Sequence, residues 1–154
     1  MLKKGLPKYG ELVICTVKRI SPFAAWVNLD EYEDVKGIIH VSEVAGKWVR
    51  DIRKFVKLEK KYVAKVMGVE EERKLVKLSL KRVSKYERRE KMNEYRMEKR
   101  AYSILRQVTK KLGRDFEKEI DKILARYSNL ASFLKVVREG EAEGIDEQIV
   151  DAVR

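Results

Sequence analysis

The sequence contains very few of the residues that build metal sites and covalent cross-links. Among its 154 residues there is one cysteine and one histidine. A single cysteine excludes a disulfide framework and a cysteine-based zinc site, and a single histidine excludes a histidine-rich metal cluster. The two prolines and eight glycines are too few for a collagen-like or low-complexity chain. We therefore expect no metal ion or other cofactor.

Long apolar runs and catalytic motifs are also missing. The apolar run near the N-terminus covers only residues 12–17, which is too short for a signal-peptide core or a membrane span. The sequence has no phosphate loop, no dinucleotide-binding glycine motif, no nucleophile elbow and no zinc-protease helix motif. Cys15 lies within a β-rich run and is expected to be a buried structural thiol. We predict a cytoplasmic protein that has no membrane partner and is not an enzyme.

Positive charge is what the sequence has in excess. Its 36 Lys and Arg against 25 Asp and Glu give a formal net charge of +11. Residues 1–84 carry a net +8 and residues 85–110 a net +5, whereas residues 111–154 carry a net −2. The densest basic stretch is 47–65, with eight basic and two acidic residues. The excess indicates an acidic partner such as nucleic acid, although a charged run can also be only a solvated face.

The hydrophobic period changes near residue 84, which predicts two domains. Up to residue 83 the sequence has short β-rich runs, and five strands are predicted at 12–17, 23–29, 37–41, 62–67 and 75–80. Five short strands with few helices between them are typical of a small closed β-barrel. Between the third and fourth strands, the spacing of Val44, Trp48, Ile52 and Phe55 predicts one or two helical turns.

From Ser84 onward the period is helical. Ser84 and Glu87 have the spacing of a capping box, and Gly113 is typical of a helix C-terminal stop. Further helix N-caps are predicted at Asp115, Asn129 and Asp146. The predicted fold is therefore α+β and multidomain, with a five-stranded barrel at 1–83 followed by a small all-α domain at 84–154.

Three side chains in the second and third strands are candidates for contact with nucleic-acid bases. Phe23 and Trp26 are three residues apart, so a regular strand would place them on opposite faces. They can share a face only if Phe23 precedes the regular strand or a bulge intervenes. If Val27 is in the core, Trp26 faces outward. His40 also alternates outward, where it could instead satisfy a neighbouring carbonyl.

Three motifs in this half resemble the S-one RNA-binding domain, which is named for a ribosomal protein. Residues 37–43 resemble its Gly-hydrophobic-hydrophobic-His-hydrophobic-Ser-Glu signature, 23–27 its Phe-Gly-Ala-Phe-Val strand, and 78–79 its closing Leu-Ser. The resemblance implies an OB-fold barrel whose exposed aromatic residues and His40 form an RNA surface. Leu75 stands where many members of that family have an RNA-contacting arginine.

A longer resemblance is to the alpha subunit family of archaeal and eukaryotic translation initiation factor 2. Residues 41–44, the basic run 47–54 and above all 101–108, Ala-Tyr-Ser-Ile-Leu-Arg-Gln-Val, resemble segments of that family. It implies a role in delivering initiator methionyl-tRNA to the small ribosomal subunit, with initiator tRNA and mRNA as RNA partners. It also implies a third domain that docks on the gamma subunit and is absent from these 154 residues. The eukaryotic regulatory phosphoserine position corresponds to Ala45, which indicates the archaeal type.

The sequence thus supports two hypotheses of different classes. The first is an initiation-factor fragment that binds RNA; its predicted RNA-binding residues are Phe23, Trp26, His40, Lys47, Arg50, Arg53, Lys54, Lys57 and Lys61. The alternative is a protein-docking module of a translation or RNA-processing complex that uses the loop 44–54. A third reading, a subunit of an RNA-processing enzyme, is disfavoured by the helical half and by the lack of acidic metal ligands.

Overall fold

The computed structural model describes residues 2–140 and 147–153, which form two compact units. One unit extends to Asn93 and the other begins at Glu94. The predicted boundary at 83/84 coincides with the start of the first helix, whereas the two units divide inside that helix. Among the described residues, no helix has the length and hydropathy needed to cross a membrane.

The first unit is a closed five-stranded barrel, as the sequence predicts. Its strands run in the order β1-β2-β3-β5-β4 around the barrel. Their bounds are β1 Leu12–Ile20, β2 Ala24–Leu29, β3 Lys36–His40, β4 Lys61–Glu70 and β5 Leu75–Ser79. The β3–β5 pair is parallel and the other neighbouring pairs are antiparallel. The mixed, closed arrangement leaves no long unpaired strand edge among these five strands.

Strand alternation places the barrel core. Val13, Cys15 and Val17 of β1 point inward, and Val27 of β2 lies opposite Val17. The ladder shifts register between Val17 and Arg19, so Arg19 lies opposite Trp26 on the outer face. The irregularity re-aims the end of β1, as bulges commonly do.

The segment between β3 and β4 differs from the predicted helical turns. Single 3-10 turns occur at Val41–Glu43 and Ile52–Lys54, and the backbone between them is irregular. The predicted stripe is wrong in its first half, because Asp51 has extended backbone and its carboxylate accepts the N–H of Arg53 at 2.9 Å. This N-cap begins a new turn at Ile52 and interrupts any helix that includes Trp48.

The described residues after the barrel form four helices: α1 Lys85–Lys111, α2 Phe116–Leu124, α3 Leu130–Arg138 and α4 Glu147–Val153. The predicted capping box is confirmed, with reciprocal 3.0 Å hydrogen bonds between Ser84 and Glu87. Gly113 ends α1 with a φ of 67°, and Asp115 and Asn129 cap α2 and α3. The predicted cap Asp146 lies outside the described residues.

Charged contacts explain why the first turns of α1 belong to the barrel unit. The Lys91 ammonium lies 2.9 Å from Glu31 Oε2, and Glu31 Oε1 accepts the N–H of Ile14 at 3.1 Å. Both side chains are largely buried. In the second unit, Glu98 instead accepts the N–H groups of Leu130 and Ala131 at the start of α3.

Candidate nucleic-acid interface

The segment 44–54, hereafter the basic loop, is fastened to the barrel at both ends. Val44 and Ile52 are buried, and Ile52 is completely inaccessible. The N–H of Ile52 donates to the Pro22 carbonyl at 3.2 Å, and the N–H of Val41, just before the loop, donates to the Phe23 carbonyl at 2.8 Å. These bonds hold the loop beside the turn that carries Phe23.

The side chains of Lys47, Arg50, Arg53 and Lys54 are exposed on this loop. Arg53 is already paired within it, since its Nε and Nη2 lie 3.0 and 2.7 Å from the Asp51 carboxylate. These hydrogen bonds lower the pKa of the Asp51 carboxyl to about 2. Lys47 lies over the Phe55 ring at 5.8 Å from the centroid. Asp51 is therefore ionised at neutral pH, and its ion pair is with Arg53.

The structure does not bring all the predicted lysines together. Lys57 is exposed just after the basic loop, where its N–H donates to the Tyr62 hydroxyl at 2.9 Å. Lys61 instead pairs with Asp30 and donates to Thr16 Oγ1 at 3.0 Å. Asp30 follows β2 at the end opposite Phe23. Lys61 thus has a local carboxylate partner away from the loop.

The two predicted aromatic residues of β2 differ in accessibility. Phe23 is 66% exposed and immediately precedes the regular strand, as the sequence argument requires if it is to share a face with Trp26. Trp26 is half-buried and faces outward, since Ala25 and Val27 on either side point into the core. The Arg19 guanidinium lies 3.9 Å from the Trp26 ring centroid. A cation–π contact of this kind covers one face of the indole.

His40 is exposed at the end of β3 and caps the 3-10 turn that follows. Its Nδ1 accepts the N–H of Ser42 at 3.1 Å and lies 2.8 Å from the Ser42 hydroxyl. Because Nδ1 accepts from a backbone N–H, the proton of the neutral ring resides on Nε2. The structure thus gives His40 a backbone partner, although that partner is an N–H and not the carbonyl considered above.

Comparison with known proteins agrees with this architecture. Residues 6–81 match the S1 (S-one) RNA binding domain. Translation initiation factor 2 subunit alpha of Methanopyrus kandleri is 40% identical over 86% of this chain, and that of Archaeoglobus fulgidus is 45% identical over 79%. The chain belongs to the translation initiation factor 2 alpha subunit family. It spans 51% and 45% of these two relatives, or about half their length.

Solved structures of the alpha subunit family share the fold. The intact alpha subunit of aIF2 from Pyrococcus abyssi is 32% identical with a TM-score of 0.81, over 96% of this chain and 59% of that one. A chain of the a/eIF2alpha–aDim2p–rRNA complex from Pyrococcus horikoshii OT3 is 33% identical, also with a TM-score of 0.81, over 97% of this chain and 94% of that one. The curated relatives are named as initiation-factor subunits and not as enzymes.

Three exposed cations on the barrel, Arg19, Lys36 and Lys77, were not predicted from the sequence as site residues. Arg19, Trp26, Ile38 and Lys77 form one row across four neighbouring strands, and Lys36 begins β3 beside this row. Alternation within β5 marks Lys77 as outward-facing, but only the parallel β3–β5 pairing places it near Trp26. Lys77 therefore adds positive charge to the outer face that carries Trp26.

The remaining reactive group is buried. Cys15 is fully inaccessible, and burial raises the pKa of its thiol to about 12, which confirms the expected structural thiol. Within residues 2–140 and 147–153, no group of three or more His, Cys, Asp or Glu side chains is placed to hold a metal ion.

Proposed function

We propose that this chain is an RNA-binding part of translation initiation factor 2 that acts without catalysis in the cytoplasm. In this role it supports delivery of initiator methionyl-tRNA to the small ribosomal subunit, with mRNA as a second RNA contact. One observation carries the proposal: a basic loop is fastened beside the exposed Phe23 and the His40 turn of an S1-type barrel. Proteins that bind single-stranded nucleic acid use cations beside exposed aromatic rings.

Electrostatics is expected to provide most of the affinity. Neutralising phosphates releases counterions, so the logarithm of the binding constant should fall with log salt by about 0.7 per single-strand phosphate. Lys47, Arg50 and Lys54 are exposed on the loop, and the ion pair of Asp51 is with Arg53 and not with any of these three. Replacing all three with alanine should weaken RNA binding regardless of sequence and reduce the slope by up to about 2.

A matched variant separates the loop from overall charge. Lys110, Lys111 and Arg126 are exposed in the helical unit, and their triple alanine variant also lowers the net charge from +11 to +8. Mobility shifts with initiator tRNA across a salt series should show a strong loss for the loop variant and a small one for the control. Equal losses would mean that general charge, and not the loop, binds the RNA.

The delivery role needs a test on the ribosome. A photo-crosslinking amino acid at position 50 should react with initiator tRNA or mRNA in an initiation complex on the small subunit, and the same group at position 126 should not. Crosslinks confined to ribosomal proteins would contradict RNA contact by the loop.

The protein-docking alternative is favoured by one observation, the exposed apolar side chains Trp48 and Leu58 in and beside the basic loop. The Pyrococcus horikoshii relative was crystallised with both aDim2p and rRNA, so its complex contains both partner classes. A chain that only docks proteins should fail to shift tRNA even at low salt.

A further inference from the structure

Trp48 is the most exposed large hydrophobic side chain among the described residues. It is 83% accessible, although it lies midway between Val44 and Ile52, the two buried anchors of the basic loop. Full burial of a tryptophan would remove 150–250 Å² of mostly apolar surface from water. At this exposure Trp48 contributes little of that stabilisation to the free protein, so the fold itself does not account for an indole here.

The surroundings of Trp48 are positively charged. Lys47 precedes it and Arg50 lies two residues after it, and both side chains are exposed. Asp51 is the only acidic residue between Val44 and Leu58, and its carboxylate is bound by Arg53. An anionic partner with flat apolar groups fits this combination better than a neutral apolar protein surface does.

We propose that Trp48 is a stacking platform for an unpaired base of single-stranded RNA, with Lys47 and Arg50 holding the phosphates on either side. This rests on the proposed RNA-binding function and adds a site to it. Base–aromatic stacking tolerates any sequence because every base has a π-face. The loop thereby combines a base contact with phosphate contacts.

The other tryptophan is less accessible for this role. Trp26 is half-buried, and Arg19 lies 3.9 Å above its ring centroid. A base could stack on that face only after displacing the guanidinium. In the described part of the chain, no cation lies over the Trp48 ring. We therefore expect a base to stack on Trp48 more readily than on Trp26.

Affinity measurements on the full chain test the platform. With single-stranded oligouridylate of about 12 nucleotides, Trp48→Ala should bind roughly 5- to 150-fold more weakly than the wild type. The salt slope should stay unchanged, since no charge is removed. Trp48→Phe should retain more affinity than Trp48→Leu, because phenylalanine can stack and leucine cannot. Leu58→Ala, which removes an exposed apolar side chain just beyond the loop, should bind like the wild type.

Fluorescence gives a second readout, because the chain has only two tryptophans. In Trp26→Phe, oligouridylate should quench the emission of Trp48, and an abasic oligomer of the same length and charge should not. The same RNA in a duplex should quench the Trp48 emission only weakly, since its bases are already stacked on one another.

The outcomes separate the two proposals. If Trp48→Ala binds like the wild type while the Lys47/Arg50/Lys54 variant binds weakly, the stacking platform is overturned and RNA binding by the loop stands. Equal losses for Trp48→Phe and Trp48→Leu, or quenching by the abasic oligomer, would also overturn stacking. If the wild type binds no RNA at low salt, the proposed function itself fails.

Discussion

Gly37 in β3 is a position where a single methyl group should destabilise the barrel. It faces the interior, and an alanine Cβ built there would lie 2.6 Å from Leu78 Cδ1, 3.0 Å from Val27 Cγ2 and 3.3 Å from Leu29 Cδ1. Ordinary van der Waals contacts begin at 3.4 Å, so the Leu78 methyl must retreat by about 0.8 Å. Leu78 is only 2% exposed and surrounded by core, which leaves it little room to move.

The net effect follows from two opposing contributions. Overpacking a core by one methyl group costs about 1–3 kcal/mol. Removing a glycine from a strand interior returns about 0.5–1 kcal/mol. The difference between these two ranges is about 0–2.5 kcal/mol. Because the buried Leu78 has little room to move, we expect Gly37→Ala to lose about 1–2 kcal/mol of unfolding free energy, or about 5–15 °C in the Tm of a domain of this size.

Urea unfolding followed by tryptophan fluorescence measures this loss, since Trp26 and Trp48 both lie in the barrel unit. Gly46→Ala is the matched control, because its added Cβ meets no atom within 4 Å. Leu78→Ala alone should cost about 2–5 kcal/mol, and combining it with Gly37→Ala should cost less than the sum. A Gly37→Ala variant as stable as Gly46→Ala, or strictly additive losses, would refute the packing argument.

Two further predictions concern local contacts. Ser84→Ala should lose about 1 kcal/mol of unfolding free energy, because it breaks the capping box with Glu87. Ser84→Thr keeps the hydroxyl and should not lose it. Urea unfolding followed by circular dichroism measures both variants, and equal stability of the two would mean that the cap is unimportant. The Asp51 carboxyl should titrate near pH 2 by NMR, and Arg53→Gln should return its pKa toward 3.8. Since the folded pKa is the lower one, the pairing stabilises the loop above about pH 3.8 and is lost as the pH falls through about 2; a native Asp51 pKa near 3.8 would contradict the pairing.

Local signals in the sequence were sufficient for most of the architecture. The five strands follow from β-branched runs, and the caps at Ser84, Asp115 and Asn129 depend on residues within three positions of one another. The β3–β5 pairing joins segments that are far apart in sequence, and no local pattern encodes it. The resemblance to the S-one domain supplied the closed barrel, which strand runs alone only suggest.

Side-chain pairs between segments that are far apart in the sequence were predicted less well than the strands and caps. The Glu31–Lys91 contact spans 60 positions, so no local pattern predicts that the first turns of α1 belong to the barrel unit. Trp48 was assigned to an apolar stripe because its spacing from Val44 and Ile52 is helical. The Asp51 cap, which is itself a local signal, removes that helix and exposes the indole.

The structure also changes what the net charge of +11 means for binding. Several cations already have carboxylate partners: Arg53 pairs with Asp51, Lys61 with Asp30 and Lys91 with Glu31. Each of these would have to exchange a nearby carboxylate for a phosphate, so its contribution to RNA affinity is reduced. In the described part of the chain, Lys47, Arg50 and Lys54 form no such pair, and Lys47 and Arg50 lie within two residues of the exposed Trp48. Affinity for RNA should therefore depend on these three loop cations more than on the total charge, which is why the loop variant and the charge-matched helical variant should differ.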